Sequence, residues 1–452
     1  MLTVDEIAQA ADGLLVAGSG PANGGFAGAA IDSREVAKGD LFFALRGERR
    51  DGHDFALEAV ERGATGLVVE RPLQAPEGVS VLQVSDSLSA LQQVAAHRRS
   101  ASDVRVVGVT GSVGKTTAKE LIAAVLGSRW RTLKSEANLN TEIGLPLTLL
   151  GLAPEHERAV LEMAMYGRGE IDLLCRIARP DVGVVTNVSS VHLERLGSMG
   201  AIVAAKAELV EALPADGLAV LNGDDPSVAA MASRTRARVL LYGLSEQCAV
   251  RASDVAGRGL DGISFRITHG EASGEVETPL PGRHHVYPAL AAATVALGEG
   301  MTLDEIAAAL REARPELRLR VLSTPGGATI IDDSYNASPP ATLAALDLLS
   351  ELGGRRIALL GEMRELGAAA EEGHRSVGER AAASADLVLV VGEPARTLYD
   401  AAVAAGGEAR FLDSPQDAAS FLRDELRSGD HLLVKASRLV ALETVVDALV
   451  AP

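Results

Sequence analysis

The 452-residue chain carries 61 acidic against 43 basic side chains, a net charge of -18 with a pI near 5.0. That balance argues against binding nucleic acid or inserting at an anionic membrane surface. Hydrophobic residues make up 47% but aromatics only 3%, so the core is one of Ala, Leu and Val, and the length suits two to four domains. Two cysteines, Cys175 and Cys248, give no disulfide framework and fit a reducing compartment. The first residues lack the basic and apolar regions of a signal peptide, and no apolar stretch reaches ~18 uninterrupted residues. A soluble cytoplasmic protein is expected.

Residues 1–102 read as a small α/β domain. Short strands are expected over Leu41–Ala44, Gly66–Glu70 and Val79–Val84, with a helix near Phe55–Arg62. Ile31-Asp32-Ser33-Arg34 and the turn Gly47–Phe55 place charged and His side chains beside glycines, which suits a ligand loop or a solvated turn.

Residues 103–315 open on Val104–Val109, an apolar run that reads as a buried parallel strand. The turn Thr110-Gly111-Ser112-Val113-Gly114 follows, and Lys115-Thr116-Thr117 starts a helix to about Leu126. Strand, Gly-rich turn and helix in that order make a phosphate loop. The glycines let backbone N–H groups converge on phosphate oxygens, and the helix N-terminus adds partial positive charge. Lys115 can reach the β- and γ-phosphates, and the Thr116 hydroxyl can ligate Mg²⁺. The strict pattern wants glycine where Val109 stands, and Gly111 lies inside the loop instead.

Next comes Asn138-Leu139-Asn140-Thr141, in a turn ending at Gly144 and Pro146, where the Asn side chains bond a polar substrate or their own backbone. The strand Arg158–Glu162 ends at a carboxylate. Ligands sit at the C-terminal ends of strands in open α/β sheets, so Glu162 is a candidate Mg²⁺ ligand. Val182–Asn187 is a further strand, followed by His192, a metal ligand or base candidate. Lys206 and Glu208 lie on a helix over about 199–212, and Leu218–Asn222 is another strand. A weaker β region spans 248–279. Pro281–His285 leads into an Ala-rich helix to about Glu299, and Thr302 with Glu305 forms the capping box of the next helix.

Residues 316–452 read as a third α/β unit. Four apolar strands, Ala328–Ile331, Ile357–Leu360, Leu387–Val391 and Leu432–Val434, alternate with helices and end in polar or glycine turns. That is the pattern of a doubly wound parallel sheet.

On these motifs the chain resembles the Mur ligases, ATP-dependent amino-acid ligases of peptidoglycan synthesis. The shared signatures are Thr110–Thr117, Asn138–Pro146, Glu162-Met163, His192–Ser198, Lys206 with Glu208, and the Tyr335-Asn336 turn. Ile31–Arg34, Asp51–Phe55, Asp332–Pro339, Leu360–Gly367 and Val434–Arg438 resemble the member that attaches D-alanyl-D-alanine to a UDP-muramoyl tripeptide. The Asp-Asn-Pro-Arg motif of the diamino-acid-adding member does not occur. The implied fold is α/β in three domains: a small N-terminal substrate-binding domain (1–102), a central P-loop ATPase-type parallel sheet (103–315) and a C-terminal Rossmann-like, doubly wound ligase domain (316–452).

The resemblance also implies roles. Thr110, Gly111, Ser112, Val113, Gly114, Lys115, Thr116 and Thr117 would hold ATP, with Arg318, Asp333, Tyr335 and Asn336 reaching it from the third domain. Arg320 competes with Arg318 for that role. Thr116, Glu162, His192 and a carbamylated Lys206 would serve two Mg²⁺ sites, and Lys115, Glu162, His192 and Lys206 would form the catalytic set. Ser33 and Arg34 would hold the uridine end, and Asn138, Asn140 and Thr141 the muramoyl substrate. Read from its residues, the turn Lys435-Ala436-Ser437-Arg438 places two cations where the dipeptide carboxylate could be held, Arg438 in bidentate fashion, or is a solvated strand end. His284-His285 and Pro288 stand where the family usually has a His-Asn pair and a second Asn, which leaves the adenine contacts open. Ala137 and Ala436 replace usual glycines. An acyl-phosphate route by a monomer is the expected chemistry. Folylpolyglutamate synthase, the diamino-acid-adding ligase and a non-catalytic nucleotide switch are the alternatives.

Overall fold

Apolar runs flanked by helices assemble the chain into three sheets. The computed structural model describes residues 2–21, 24–190, 193–314 and 319–451.

The N-terminal sheet has five strands. Leu14–Ala17 pairs antiparallel with Ser80–Gln83, and Gly66–Val69, Leu41–Phe43 and Ala29–Ala30 follow in parallel. The 3₁₀ turn Gly52–Phe55 runs into a helix over Ala56–Glu61. Asp86 caps the long helix Ser87–Ser100 by accepting the Ser89 N–H at 2.6 Å.

The central sheet has nine strands. Thr132–Lys134, Arg158–Glu162, Arg105–Thr110, Val182–Val185, Leu218–Asn222, Arg238–Gly243 and Val250–Gly257 run parallel in that spatial order. The 248–279 region continues the sheet as antiparallel strands Ile263–His269 and Ala272–Thr278. Helices Lys115–Gly127 and Val286–Gly298 bury one face, and Glu170–Ala178 and Met199–Glu211 the other. Two covered faces explain why these strands are continuously apolar.

The C-terminal sheet has six strands rather than the four expected. Thr329–Asp332, His431–Lys435, Arg356–Gly361, Leu387–Val391 and Ala409–Leu412 are parallel, and Arg320–Ser323 adds an antiparallel edge. A second difference lies in the stretch read as a turn ending at Gly144 and Pro146, which is the start of a helix over Gly144–Leu150. Pro146 is its third residue, where the missing N–H has no intrahelical partner to lose.

Candidate active site

The phosphate loop sits at the C-terminal end of strand Arg105–Thr110. Gly111 has φ +147°, and a Cβ there would lie 1.9 Å from Thr186 Oγ1, so glycine is required. Asn187 clamps the loop from the next strand: its Oδ1 accepts the Val113 N–H at 2.9 Å and its Nδ2 donates to Val113 O at 2.8 Å. The Thr110 hydroxyl donates to Met163 O at 2.8 Å, tying the loop to the strand that bears Glu162. Lys115 Nζ donates to Gly111 O at 2.9 Å, curling over the loop its helix extends from. Thr116 and Thr117 are half-buried in the first turn of that helix.

Register pairs Glu162 with Val109 on the neighbouring strand. Glu162 is 1% exposed. Its Oε1 accepts from Asn140 Nδ2 at 2.8 Å, while its buried Oε2 has no hydrogen-bond partner among the described residues. A buried carboxylate oxygen without a donor is costly, and a bound cation would satisfy it. The residues therefore fit a divalent metal. His192 lies outside the described residues. Lys206 is buried on the Met199–Glu211 helix, and burial, reinforced by the nearby Lys115 charge, pushes its amine well below the ordinary lysine value.

Asn138 is exposed and Thr141 half-buried on the loop that carries Asn140. Preceding them, Ala137 holds φ +43°, a left-handed conformation that favours glycine.

A second group gathers at the C-terminal edge of the C-terminal sheet. Lys435, nearly fully buried, donates to Asn336 O at 3.0 Å and pairs with Asp333. Ser437 Oγ accepts the Arg364 N–H at 2.9 Å. The Arg438 guanidinium lies 5.4 Å from the Tyr335 ring centroid and 3.3 Å from Glu443. Lys435 is thus paired inside the domain, and of the two cations expected to hold a carboxylate at this turn only Arg438 is exposed. Arg320 is committed too, bonding Asp332 across the strand pair at 2.5 and 3.0 Å. Arg318 lies outside the described residues.

The central and C-terminal groups approach each other. Arg195, stacked 4.5 Å over Tyr166, comes within 3.8 Å of Glu365, and Gly367 abuts Glu194. The N-terminal pair stands apart: among the described residues no hydrogen bond or ion pair joins Ser33 or Arg34 to either group. Arg34 instead grips Asp32 through Nε and Nη2, which lowers the Asp32 carboxyl to about 2. The turn that carries His53 is not simply solvated at that residue. The ring is buried, with Nδ1 2.6 Å from Asp51 and Nε2 accepting the Glu70 N–H at 2.8 Å, so both ring nitrogens are used.

Three family models cover the chain: the Mur ligase family catalytic domain over residues 26–99, the Mur ligase middle domain over 109–296 and the Mur ligase glutamate ligase domain over 317–438. A UDP-N-acetylmuramoyl-tripeptide–D-alanyl-D-alanine ligase of Synechocystis sp. is 40% identical over 93% of this chain and 91% of its own length. The chain belongs to the Mur ligase family. A crystal structure of MurF from Acinetobacter baumannii matches this Mur ligase with TM-score 0.89 at 29% identity, covering 100% of this chain and 99% of the other. The MurF ligase of Thermotoga maritima in complex with ADP matches with TM-score 0.80 at 31% identity, over 93% and 96% of the chains.

Three further residues support the phosphate loop. Asn187, at the end of the strand run Val182–Asn187, clamps it. Lys119 and Glu120 are buried on its helix, and their signal in the sequence is a Lys-Glu pair one turn beyond Lys115, where the other helix residues are apolar. Glu208 proves to be a cap, accepting the Gly169 N–H at 2.8 Å and the Asp172 N–H at 3.1 Å.

Proposed function

We propose that this Mur ligase uses ATP to join D-alanyl-D-alanine to a UDP-N-acetylmuramoyl tripeptide, working as a cytoplasmic monomer with domain boundaries near 102 and 316. The observation that carries the reading is the unpartnered, buried Glu162 Oε2 beside a formed phosphate loop. The full-length relatedness to dipeptide-adding ligases supports the choice of substrates.

A carboxylate is a poor acceptor for an amine. In the first step an oxygen of the tripeptide's terminal carboxylate attacks the γ-phosphorus. The bond from that phosphorus to the β–γ bridging oxygen breaks, and ADP leaves. In the second step the dipeptide amine attacks the acyl carbon, the C–O bond to phosphate breaks, and the new amide loses a proton to water.

Lys115 and the loop amides orient the phosphates and offset their charge. Thr116, Glu162, His192 and Lys206 would hold magnesium, which screens charge building on the transferred group. Lys206, whose ammonium form burial disfavours, can as the free amine attack CO₂ through its nitrogen and lose a proton, giving an anionic carbamate where an ammonium would repel the metal. Asn140, held by Glu162, and Thr141 face the muramoyl peptide. Ser33 and Arg34 hold the uridine end, Asp333, Tyr335 and Asn336 the nucleotide, and Arg438 the dipeptide carboxylate in bidentate fashion.

The test pairs UDP-muramoyl dipeptide or tripeptide with D-alanyl-D-alanine or single amino acids. Product from tripeptide plus dipeptide alone supports the reading, and preference for a single amino acid sinks it. With the tripeptide's terminal carboxylate ¹⁸O-labelled, one turnover sends one labelled oxygen into phosphate. Label in AMP would mean an adenylate route.

A further inference from the structure

Lys119 is fully buried although charged. Its Nζ donates to Ser135 O at 2.5 Å and sits 2.6 Å from Glu120 Oε1, and Glu120 Oε2 takes Lys134 Nζ at 2.8 Å. The desolvation of a buried ion pair is rarely recovered in stability, and an apolar side chain of similar volume often does as well. A role in positioning accounts for a charge that stability does not require.

The geometry shows what it positions. Lys119 stands one helical turn beyond Lys115, so the helix that presents the phosphate loop also carries this ammonium. Ser135 begins the loop bearing Asn138, Asn140 and Thr141. The Ser135 N–H donates to Val160 O at 3.0 Å, and its Oγ accepts the Glu162 N–H at 3.0 Å. Glu162 in turn holds Asn140. An unbroken path of hydrogen bonds thus runs from the nucleotide helix through Lys119 and Ser135 to Glu162 and Asn140.

We propose that Lys119 is a positioning residue that locks the start of the Asn138–Thr141 loop to the phosphate-loop helix, setting the Glu162–Asn140 pair relative to the nucleotide. The inference rests on the roles of Glu162 and Asn140 given above. Lys119 itself touches no reacting atom.

The test uses Lys119→Met, which keeps length and volume, and Ser135→Ala, which removes only one hydroxyl, alone and combined in the full-length protein. The expected results are a 10- to 100-fold fall in kcat for Lys119→Met, on the scale of a small misplacement in a reacting geometry, and a smaller fall for Ser135→Ala. The KM for UDP-muramoyl tripeptide should rise, while the ATP dissociation constant by calorimetry stays within about threefold. The double variant should fall no further than the worse single one, because both act on one path. Should Lys119→Met not fold, Lys119→Gln, one atom too short to hold the Ser135 carbonyl, decides: a drop in kcat with unchanged ATP affinity supports the path, and wild-type kinetics overturns it. A Lys119→Met protein that melts lower yet keeps wild-type kcat and KM shows a structural role only. Additive effects in the double variant also overturn the inference. If the wild-type protein fails to ligate the dipeptide, the functional reading has failed first, before any variant is compared.

Discussion

The central sheet meets its two neighbours in different ways. At the N-terminal junction the helix Ser87–Ser100 packs on Gly144–Leu150 and Glu170–Ala178, with Ile143, Leu147 and Leu150 joining the N-terminal core. Arg99, 9% exposed, donates to Ala178 O at 2.8 Å, Ser102 O at 3.0 Å and Arg179 O at 3.2 Å, and pairs with Asp181 at 3.3 Å. Gln92 Nε2 adds a bond to Glu142 O at 3.1 Å. At the C-terminal junction the described residues show Arg283–Glu351 at 2.7 Å and Arg195–Glu365 at 3.8 Å, both involving exposed arginines, Leu260 half-buried against the C-terminal core, and small contacts of Gly259 on Leu352 and Gly367 on Glu194. The first joint is built like a core and the second like a transient interface. An enzyme that must admit three substrates and then exclude water needs one joint of the second kind.

Chemistry gives the largest expected effect. Lys206 lies in the central half of the site, and its role does not depend on either joint. Lys206→Ala should lower turnover by about 10²–10³-fold while melting close to wild type, since a buried amine is removed and not merely unpaired. Partial rescue by a short carboxylic acid would mark the missing anion. An alanine variant with full turnover would remove Lys206 from the mechanism.

Next comes the tight joint itself. Arg99→Met leaves three carbonyls without this donor and Asp181 without its cation, with the Val106 N–H still bonded to it, which should cost about 3 kcal/mol, read as a lower denaturant midpoint. If Arg99→Met melts like wild type, the N-terminal junction is no tighter than the C-terminal one and the comparison collapses.

How far these features could be read from the chain depends on distance along it. The phosphate loop was legible because strand, Gly-Lys-Thr-Thr and helix are consecutive, and Glu162 because a strand ending at a carboxylate is a local pattern. Lys435 was not. Its partner Asp333 lies 102 residues away, so a strand-end lysine looked like a free cation. His53 misled for the same reason, since the Glu70 N–H that occupies its ring comes from another strand. The helix Gly144–Leu150 was hidden by Pro146, which reads as a breaker until its place in the first turn is known. Arg99 carried little signal, because two of its three carbonyl partners, Ala178 and Arg179, come from backbone brought in by the end of the Glu170–Ala178 helix.

Acid should cost stability next. His284 and His285 stack at 4.1 Å between centroids. Burial above all, then the neighbouring His285 and Lys435 charges, hold His284 well below the ordinary 6.5, and burial lowers His285. Both rings fold neutral. The unfolded chain therefore binds more protons below about 6.5, and stability rises with pH through that window and is lost as pH falls through it. Melting followed from pH 7.5 to 5 should show that loss in wild type, with a flatter profile in His284→Gln. Parallel profiles would clear His284 of the effect.

The smallest effect belongs to the exposed pairs. Glu351 meets Arg283 with most of the guanidinium in solvent, and such a pair contributes ~1 kcal/mol or less. Glu351→Gln should leave the denaturant midpoint nearly unchanged and move kcat/KM by no more than about fivefold, which is the population shift ~1 kcal/mol can produce. The informative measurement is solution scattering with and without an ATP analogue plus UDP-muramoyl tripeptide. Wild type and Glu351→Gln should both change their curves on binding, because the joint that moves is held by contacts this weak. Curves that stay identical with ligand would mean the C-terminal joint is fixed despite its polar surface. A loss of stability in Glu351→Gln as large as that in Arg99→Met would show that the pair anchors the domain, and then closure would have to come from elsewhere in the chain.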